Sequence, residues 1–352
     1  MGEKKAGEIK SLGRYQVRGI LGKGAMGVVY DGYDERLKRR VAIKTVQTAS
    51  LDEATARHYA KRFEREVKAV GRLNHPNIVQ VYDFGTEGGL AYVVMEYIDG
   101  RELKHRLDAG ERFDLKATLA LMTQLLDALD AAHEAGVIHR DIKPANVMID
   151  ARGLAKLTDF GVARITQGEG ENAEATRVGA IVGTPSYMSP EQIQGDRIDR
   201  RSDIFSAGVL FYQLLTGRKP FEGEQWALAR KIVQDDPVWP SLLVPLSTDI
   251  DRVVARAMAK LPEARYRTAR LFADALRRIA AGQPPETPDE TVVMTAPVSN
   301  EAEIEFWNGV KDSNDPEDVV LYIEQFPEGM FVEQARKLMR SLRRKSRKKQ
   351  RA

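Results

Sequence analysis

The octet His139-Arg140-Asp141-Ile142-Lys143-Pro144-Ala145-Asn146, followed eighteen residues after Asp141 by Asp159-Phe160-Gly161, constrains this chain more than any other feature. A carboxylate, a lysine and an amide fall within six residues, and a second carboxylate precedes a glycine one hairpin later. These groups equip a site for in-line phosphoryl transfer. One orients a hydroxyl, one cation meets a phosphate, and two oxygen ligands suit magnesium. A loop without that task has little reason to carry this octet.

Upstream, Leu21-Gly22-Lys23-Gly24-Ala25-Met26-Gly27-Val28-Val29 lies between strand-like runs. Its glycines permit close approach of backbone N–H groups to phosphates, although a plain hairpin turn reads the same way. A dinucleotide-binding turn needs a helix to follow at once, whereas Val28-Val29-Tyr30 continues as strand. Val41-Ala42-Ile43-Lys44 sets a lysine in a β-rich run. It is either an edge-strand lysine facing solvent or a phosphate-binding cation held by a helix carboxylate. Glu64 and Glu66 are the available carboxylates. Glu66 flanks the inward face marked by Phe63, Val67, Val70 and Leu73, and Glu64 points elsewhere on the helical wheel.

The remaining organisation follows from pattern. Residues 15–50 read as a twisted antiparallel sheet, with strand-like runs at Ile78–Tyr82 and Leu90–Met95. A helix over Asp52–Leu73 stops at Asn74-His75-Pro76-Asn77. From Asp114 onward the pattern is helical, through Leu115–His133, Ser202–Leu215 and Ile250–Lys260. Gln283-Pro284-Pro285-Glu286-Thr287-Pro288-Asp289-Glu290 has nothing to bury and reads as a linker. Apolar stripes then resume at Ile304, Trp307 and Val310. They continue through Val319, Val320, Ile323 and Phe326, and through Phe331, Ala335, Leu338, Met339 and Leu342. His58, His75, His105 and His133 lack metal-site spacing and read as structural or surface residues. Trp226 and Trp239 read as packing.

Composition excludes several classes. The absence of cysteine removes disulfides and thiolate metal sites. The N-terminus lacks the apolar stretch of a signal peptide, and Ile204–Leu215 is too short to span a bilayer. The net charge of +3 turns to −4 without the seven Lys and Arg of residues 341–352, so the basic character belongs to a tail and no nucleic-acid partner is expected. That tail reads as solvated or as a contact for an anionic membrane surface.

Taken together, residues 15–278 resemble a bacterial eukaryotic-type (Hanks-type) serine/threonine protein kinase. The resemblance runs through Gly22–Val29, Val41–Lys44, Phe63–Val79, His139–Asn146, Asp159–Gly161, Gly183–Glu191 and Arg201–Phe221. It implies an α+β bilobal protein kinase fold, with a β-rich N-lobe and an α-helical C-lobe. Beyond it lie a Pro/acid-rich linker at 281–300, a small helical module at 301–342 and a basic tail at 343–352. It implies ATP as phosphoryl donor, Mg2+ with Mn2+ as a substitute, protein substrates and a cytoplasmic location.

The resemblance also implies roles. Asp141 orients the acceptor hydroxyl, Lys143 steadies the γ-phosphate, Asn146 and Asp159 hold the metal, and Lys44 with Glu66 holds the phosphates. Leu21 to Val29, Ala42, Met95, Glu96 and Ile98 enclose the nucleotide, with Met95 at the back of the adenine pocket. Thr184 closes the acceptor site, and Thr176 is the activating phosphorylation site. Glu191 with Arg265 anchors the substrate-docking segment, Asp203 braces the catalytic loop, and Val70, Val81, His139 and Phe160 stack between the lobes. The rival reading is a silent kinase-fold scaffold, against which the intact Lys44, Asp141, Asn146 and Asp159 set counts. The C-terminal module is open to docking on the kinase, self-association or partner binding. The basic end also suits a chain that continues past Ala352 into a membrane anchor.

Overall fold

Period-two alternation builds the first sheet. Strands β1 (Ser11–Leu12), β2 (Tyr15–Gly24), β3 (Gly27–Asp34), β4 (Arg39–Gln47), β5 (Val81–Glu87) and β6 (Leu90–Glu96) pair antiparallel in the order β1-β2-β3-β4-β6-β5. The computed structural model describes residues 9–24, 27–47, 63–160, 185–285, 306–311, 313, 315–325, 331, 332, 334–336, 338, 339 and 342. On one face of the sheet Tyr15, Tyr30, Val41, Ile43, Tyr92 and Val94 form a closed apolar cluster. Ala42 and Lys44 alternate with Val41 and Ile43, so they face the other side. There Ala91 and Val93 pack against Phe63 and Val67 of helix α1, residues 63–70. Glycine is required at Gly27, whose φ is +145°; an added Cβ would stand 1.7 Å from the Thr45 carbonyl oxygen.

The second lobe is helical. It comprises α2 (Leu103–Asp108), α3 (Leu115–Glu134), α4 (Pro190–Gln194), α5 (Arg200–Thr216), α6 (Gln225–Gln234), α7 (Thr248–Ala257) and α8 (Ala269–Ala280). A small antiparallel sheet of β7 (Gly100–Glu102), β8 (Val147–Asp150) and β9 (Ala155–Leu157) accompanies them. Caps set the helix starts: the Asp114 carboxylate accepts from the Ala117 N–H at 2.7 Å, and Asp199 accepts from Arg201 N–H at 2.7 Å. Helix α5 is buried from Ser202 to Tyr212 and forms the axis of one continuous core. That core reaches Val70 of α1, Ile78 and Phe160.

Two local expectations change. The run at Ile78–Tyr82 does not form one strand. Val79 N–H donates to the Leu157 carbonyl at 2.9 Å, and pairing with β6 begins only at Val81. Trp226 does not pack in the helical lobe; it lies on α6 with 70% of its surface exposed.

Residues 286–352 form a separate unit. Within it, helical residues 306–310 and helix α9 (Pro316–Gln325) contribute to an aromatic core. Trp307 stacks on Phe331 with centroids 5.3 Å apart, and Tyr322 is fully buried with its hydroxyl oxygen accepting from the Phe331 N–H at 3.1 Å. The sequence stripe ran through Val320 and missed Tyr322; Phe326 lies outside the described residues. Among the described residues no helix is long and apolar enough to cross a membrane.

Candidate active site

The site grows from a strained loop between α3 and β8. Arg140 in that loop has φ +68°, and Asp159, two residues past β9, has φ +66°, the left-handed region that residues with a Cβ rarely occupy. Such geometry persists only where neighbours hold it. The main restraint on the loop is Asp203, fully buried near the start of α5. Its carboxylate accepts the N–H of His139 at 2.8 Å and the N–H of Arg140 at 2.7 Å, and pairs with His133 Nε2 at 2.7 Å. Burial pushes that carboxyl up, and the His133 hydrogen bond, the electrostatic pull of the two nearby imidazoles and the Arg140 N–H outweigh it, holding it below the usual carboxylate range.

His139 joins the two segments that carry Asp141 and Asp159. Its Nδ1 accepts from the Asp141 N–H at 3.3 Å, which leaves the opposite ring nitrogen, Nε2, to donate to the Thr158 carbonyl at 2.8 Å. Its ring lies 4.5 Å from that of Phe160. Asp141 is gripped in turn. Asn146 Nδ2 donates to its carbonyl at 2.7 Å and to Oδ2 at 2.9 Å, and Lys143 Nζ stands 2.8 Å from the same Oδ2. Because Asn146 spends its NH2 on Asp141, its Oδ1 is turned away as an acceptor.

Across the cleft, Lys44 Nζ pairs with Asp159 Oδ1 at 2.7 Å. The structure therefore gives Lys44 a partner other than the helix carboxylate. Glu66 lines the same apolar pocket of about 40 Å³ and accepts from Arg65 at 3.2 Å, whereas Glu64 lies half-exposed and pairs with Lys68 at 2.6 Å. Met95, Val70 and Phe160 complete that pocket's wall. Ala42 is buried beside Met95, its cross-strand neighbour. Glu96 ends β6, its carboxylate 2.9 Å from Lys156 Nζ of β9 and its N–H bonded to the Gln80 carbonyl at 2.9 Å. Ile98 follows, half-buried.

Leu21, Lys23 and the glycines beside them are exposed at the end of β2, and Val28 and Val29 are half-buried on β3. Among the described residues nothing lies within 4 Å of a Cβ added at Gly22 or Gly24. Packing among the described residues does not demand glycine there. Ala25, Met26, Gly161, Thr176 and Thr184 lie outside the described residues.

The buried pair stands further down. Arg265 donates to both oxygens of Glu191, at 2.7 and 2.8 Å, and to the carbonyls of Ala259, Arg201 and Lys260. Ser202 Oγ donates to Glu191 Oε1 at 2.6 Å. Burial raises the Glu191 carboxyl, but the Arg265 and Ser202 bonds outweigh it and hold it low.

Sequence reasoning missed several supports. Asn77, read only as part of a turn, donates to the Ala155 carbonyl at 2.7 Å and to Gln124 Oε1 at 3.0 Å, stapling β9 to α3. His133 pairs with Asp203, which braces the catalytic loop, and Gln192 bonds to the loop itself at the Arg140 carbonyl. The capping pattern Ser189-x-x-Gln192 was the available signal for the last of these.

The family model of the protein kinase domain matches residues 15–275. A probable serine/threonine-protein kinase of Streptomyces coelicolor, SCO3848, is 40% identical over 278 residues, covering 77% of this chain and 41% of that protein. The serine/threonine-protein kinase PknB of Mycobacterium leprae is 41% identical over 281 residues, covering 78% of this chain and 44% of its own length. The chain thus spans less than half the length of these curated relatives. On that match and this geometry, the chain belongs to the protein kinase family, among the bacterial Hanks-type serine/threonine kinases.

Proposed function

We propose that the chain transfers the γ-phosphoryl group of ATP to serine or threonine hydroxyls of protein substrates. The observation that carries this reading is the Asp141 carboxylate, held between the Lys143 ammonium and the Asn146 amide. A carboxylate so held is set to accept a hydrogen bond from an incoming hydroxyl, and the adjacent ammonium suits the transferred phosphoryl group. Thr184 is assigned to close this acceptor site against Asp141 and Lys143.

The donor set fits a hard divalent cation. Asn146 offers its amide oxygen and Asp159 its carboxylate; magnesium takes such oxygen ligands together with phosphate and water, and manganese substitutes for it. When bound, the ion supplies charge neutralisation at the β- and γ-phosphates. Lys44 is assigned to the phosphates, with Glu66 beside it, and the glycine turn from Leu21 to Val29 to covering them. Ala42, Met95, Glu96 and Ile98 surround the base. Glu191, Arg265 and Asp203 keep the docking segment and the catalytic loop in place.

Activation by autophosphorylation at Thr176, between molecules, belongs to the same reading, as does a cytoplasmic location. The helical module at 301–342 is assigned to self-association or partner binding, and the basic tail at 343–352 to anionic membrane surfaces. The decisive experiment is transfer of radiolabel from ATP to a generic basic protein by the wild type and by Asp141→Asn. Loss of transfer in the variant, with nucleotide still bound, supports the assignment; wild-type turnover in Asp141→Asn removes it. Peptide mapping of the two proteins places or rejects phosphate at Thr176.

A further inference from the structure

Arg140 is the strained residue directly before Asp141, and its peptide groups are held from two directions. Asp203 takes the N–H from the side of α5. The carbonyl is taken by Gln192 of α4, whose Nε2 donates to Arg140 O at 2.8 Å. The other half of the same side-chain amide is also engaged. Gln192 Oε1 accepts from the Ser189 N–H at 2.9 Å and from Ser189 Oγ at 3.2 Å.

This double use fixes the amide's orientation. A carbonyl accepts only and a peptide N–H donates only, so the flipped amide would oppose like groups at both ends. A capping box at the start of α4 needs only the Oε1 half. The Nε2 half does something a cap does not require: it reaches back 52 residues to the backbone carbonyl adjoining Asp141. Glutamate would serve the cap equally well and would place a charged oxygen against the Arg140 carbonyl.

We propose that Gln192 is a positioning residue for phosphoryl transfer, fixing the Arg140–Asp141 peptide from the substrate-docking side. The orientation of Asp141 then depends on the segment of residues 185–194 being seated. That segment contains Glu191, so the Glu191–Arg265 pair seats α4 while Gln192 ties it to the catalytic loop. Gln192 makes no bond to Lys44, Asn146 or Asp159, so nucleotide affinity is separable from its action. The inference rests on the assignment of Asp141 to the acceptor hydroxyl.

The test compares full-length wild type with Gln192→Glu, Gln192→Met and Asp141→Asn. Gln192→Glu keeps the acceptor for Ser189 and loses the donor to Arg140. Its kcat should fall about tenfold or more while KM for ATP stays within about twofold, as expected when a buried carbonyl loses its donor. The pH profile carries the signature. Protonation restores a donor, so the ratio of variant to wild-type kcat should rise as pH falls toward the carboxylate range, near pH 4–5. Gln192→Met, which has no proton to regain, should lose kcat with a ratio independent of pH, and it serves if the charged variant folds poorly. Wild-type kcat in both variants, or a flat ratio in a folded Gln192→Glu, overturns the proposal. Wild-type turnover in Asp141→Asn overturns the underlying assignment instead, so the two failures are distinguishable.

Discussion

Lys44 of β4 and Asp159, two residues past β9, meet with 2.7 Å between Nζ and Oδ1, so the cation assigned to phosphate and a carboxylate assigned to metal neutralise one another. Both are largely shielded, with side chains 13% and 25% exposed. On the proposed function, a nucleotide carrying its metal would enter this pair, giving the lysine a phosphate and the carboxylate a cation. The pair keeps each charge compensated until then, which a partly desolvated site requires.

Lys44→Met should therefore cut kcat/KM by roughly two to three orders of magnitude, the usual loss when a charge-stabilising group leaves a reaction site. Global stability should fall by about 1–3 kcal/mol, since the variant leaves the largely shielded Asp159 carboxylate without its counter-charge. Steady-state kinetics and thermal melts check both. The wild type should gain melting temperature with ATP and magnesium, and lose that gain on chelation, because a ligand of the native state stabilises it. Turnover at the wild-type rate in Lys44→Met would separate Lys44 from the phosphates.

The Glu191–Arg265 pair makes a stability prediction with a defined sign. Burial raises the Glu191 carboxyl and the Arg265 and Ser202 bonds more than reverse it, so its folded value lies below the ordinary 4.5. A carboxylate depressed in the folded state adds stability above its unfolded value, and that stability is lost as pH falls through the folded value. Glu191→Gln leaves the buried Arg265 without its counter-charge and should cost about 3–5 kcal/mol near neutral pH. The difference from wild type should shrink below pH 4.5. Urea unfolding at stepped pH measures this; a difference constant across the carboxylate range contradicts it.

What the sequence made legible was local. The octet around Asp141 and the Asp159 turn are readable because their chemistry sits on consecutive residues. Asp203 and the Glu191–Arg265 pair were read only through resemblance, because their partners lie 63 and 74 residues away. His133 and Asn77 were missed for the same reason: a helical histidine or a turn asparagine carries no mark of the group that folding brings to it. The partner of Lys44 is also a product of folding, since Asp159 and Glu66 border one pocket and periodicity alone favours the helix. Trp226 shows the opposite limit, an aromatic whose type suggests burial and whose helix face leaves it in solvent. The clustering of apolar residues in 306–342 was visible; Tyr322 at its centre was not, because a tyrosine joins a core only when its hydroxyl finds a partner, here the Phe331 N–H.

The division at Pro285 predicts independence of the two units. A chain ending there keeps the core that runs from α1 to α8, so its kcat and its KM for ATP should stay within about twofold of the full chain. In the other unit, Tyr322→Phe removes one buried hydrogen bond and should lower that unit's stability by about 1–3 kcal/mol without touching turnover. Kinetics of the truncated chain and denaturation of residues 286–352 followed by tryptophan fluorescence measure these. A truncated chain that precipitates or loses activity contradicts independence.

Lys260, beyond the end of α7, offers a pH test in the opposite direction. Its ammonium donates to the Ile232 carbonyl at 3.0 Å and lies 4.4 Å from the centroid of Phe221. Burial pushes it down to about 8, with Asp236 and Asp235 opposing the drop and Arg265 adding to it. In the unfolded chain the same lysine keeps its proton to about 10.4. Between these values the unfolded state binds more protons, so this residue's contribution makes the fold more stable as pH rises from about 8. Lys260→Met fills similar space without a charge to desolvate. It should lie within about 1 kcal/mol of wild type at pH 7, where the lost hydrogen bond offsets the relieved burial, and fall behind it steadily at higher pH. Melting temperatures of the two proteins from pH 7 to 9.5 measure the gap. A gap that stays constant over that interval would show that Lys260 remains fully protonated in the folded chain, as an ammonium held by Ile232 and Phe221 against the cost of burial.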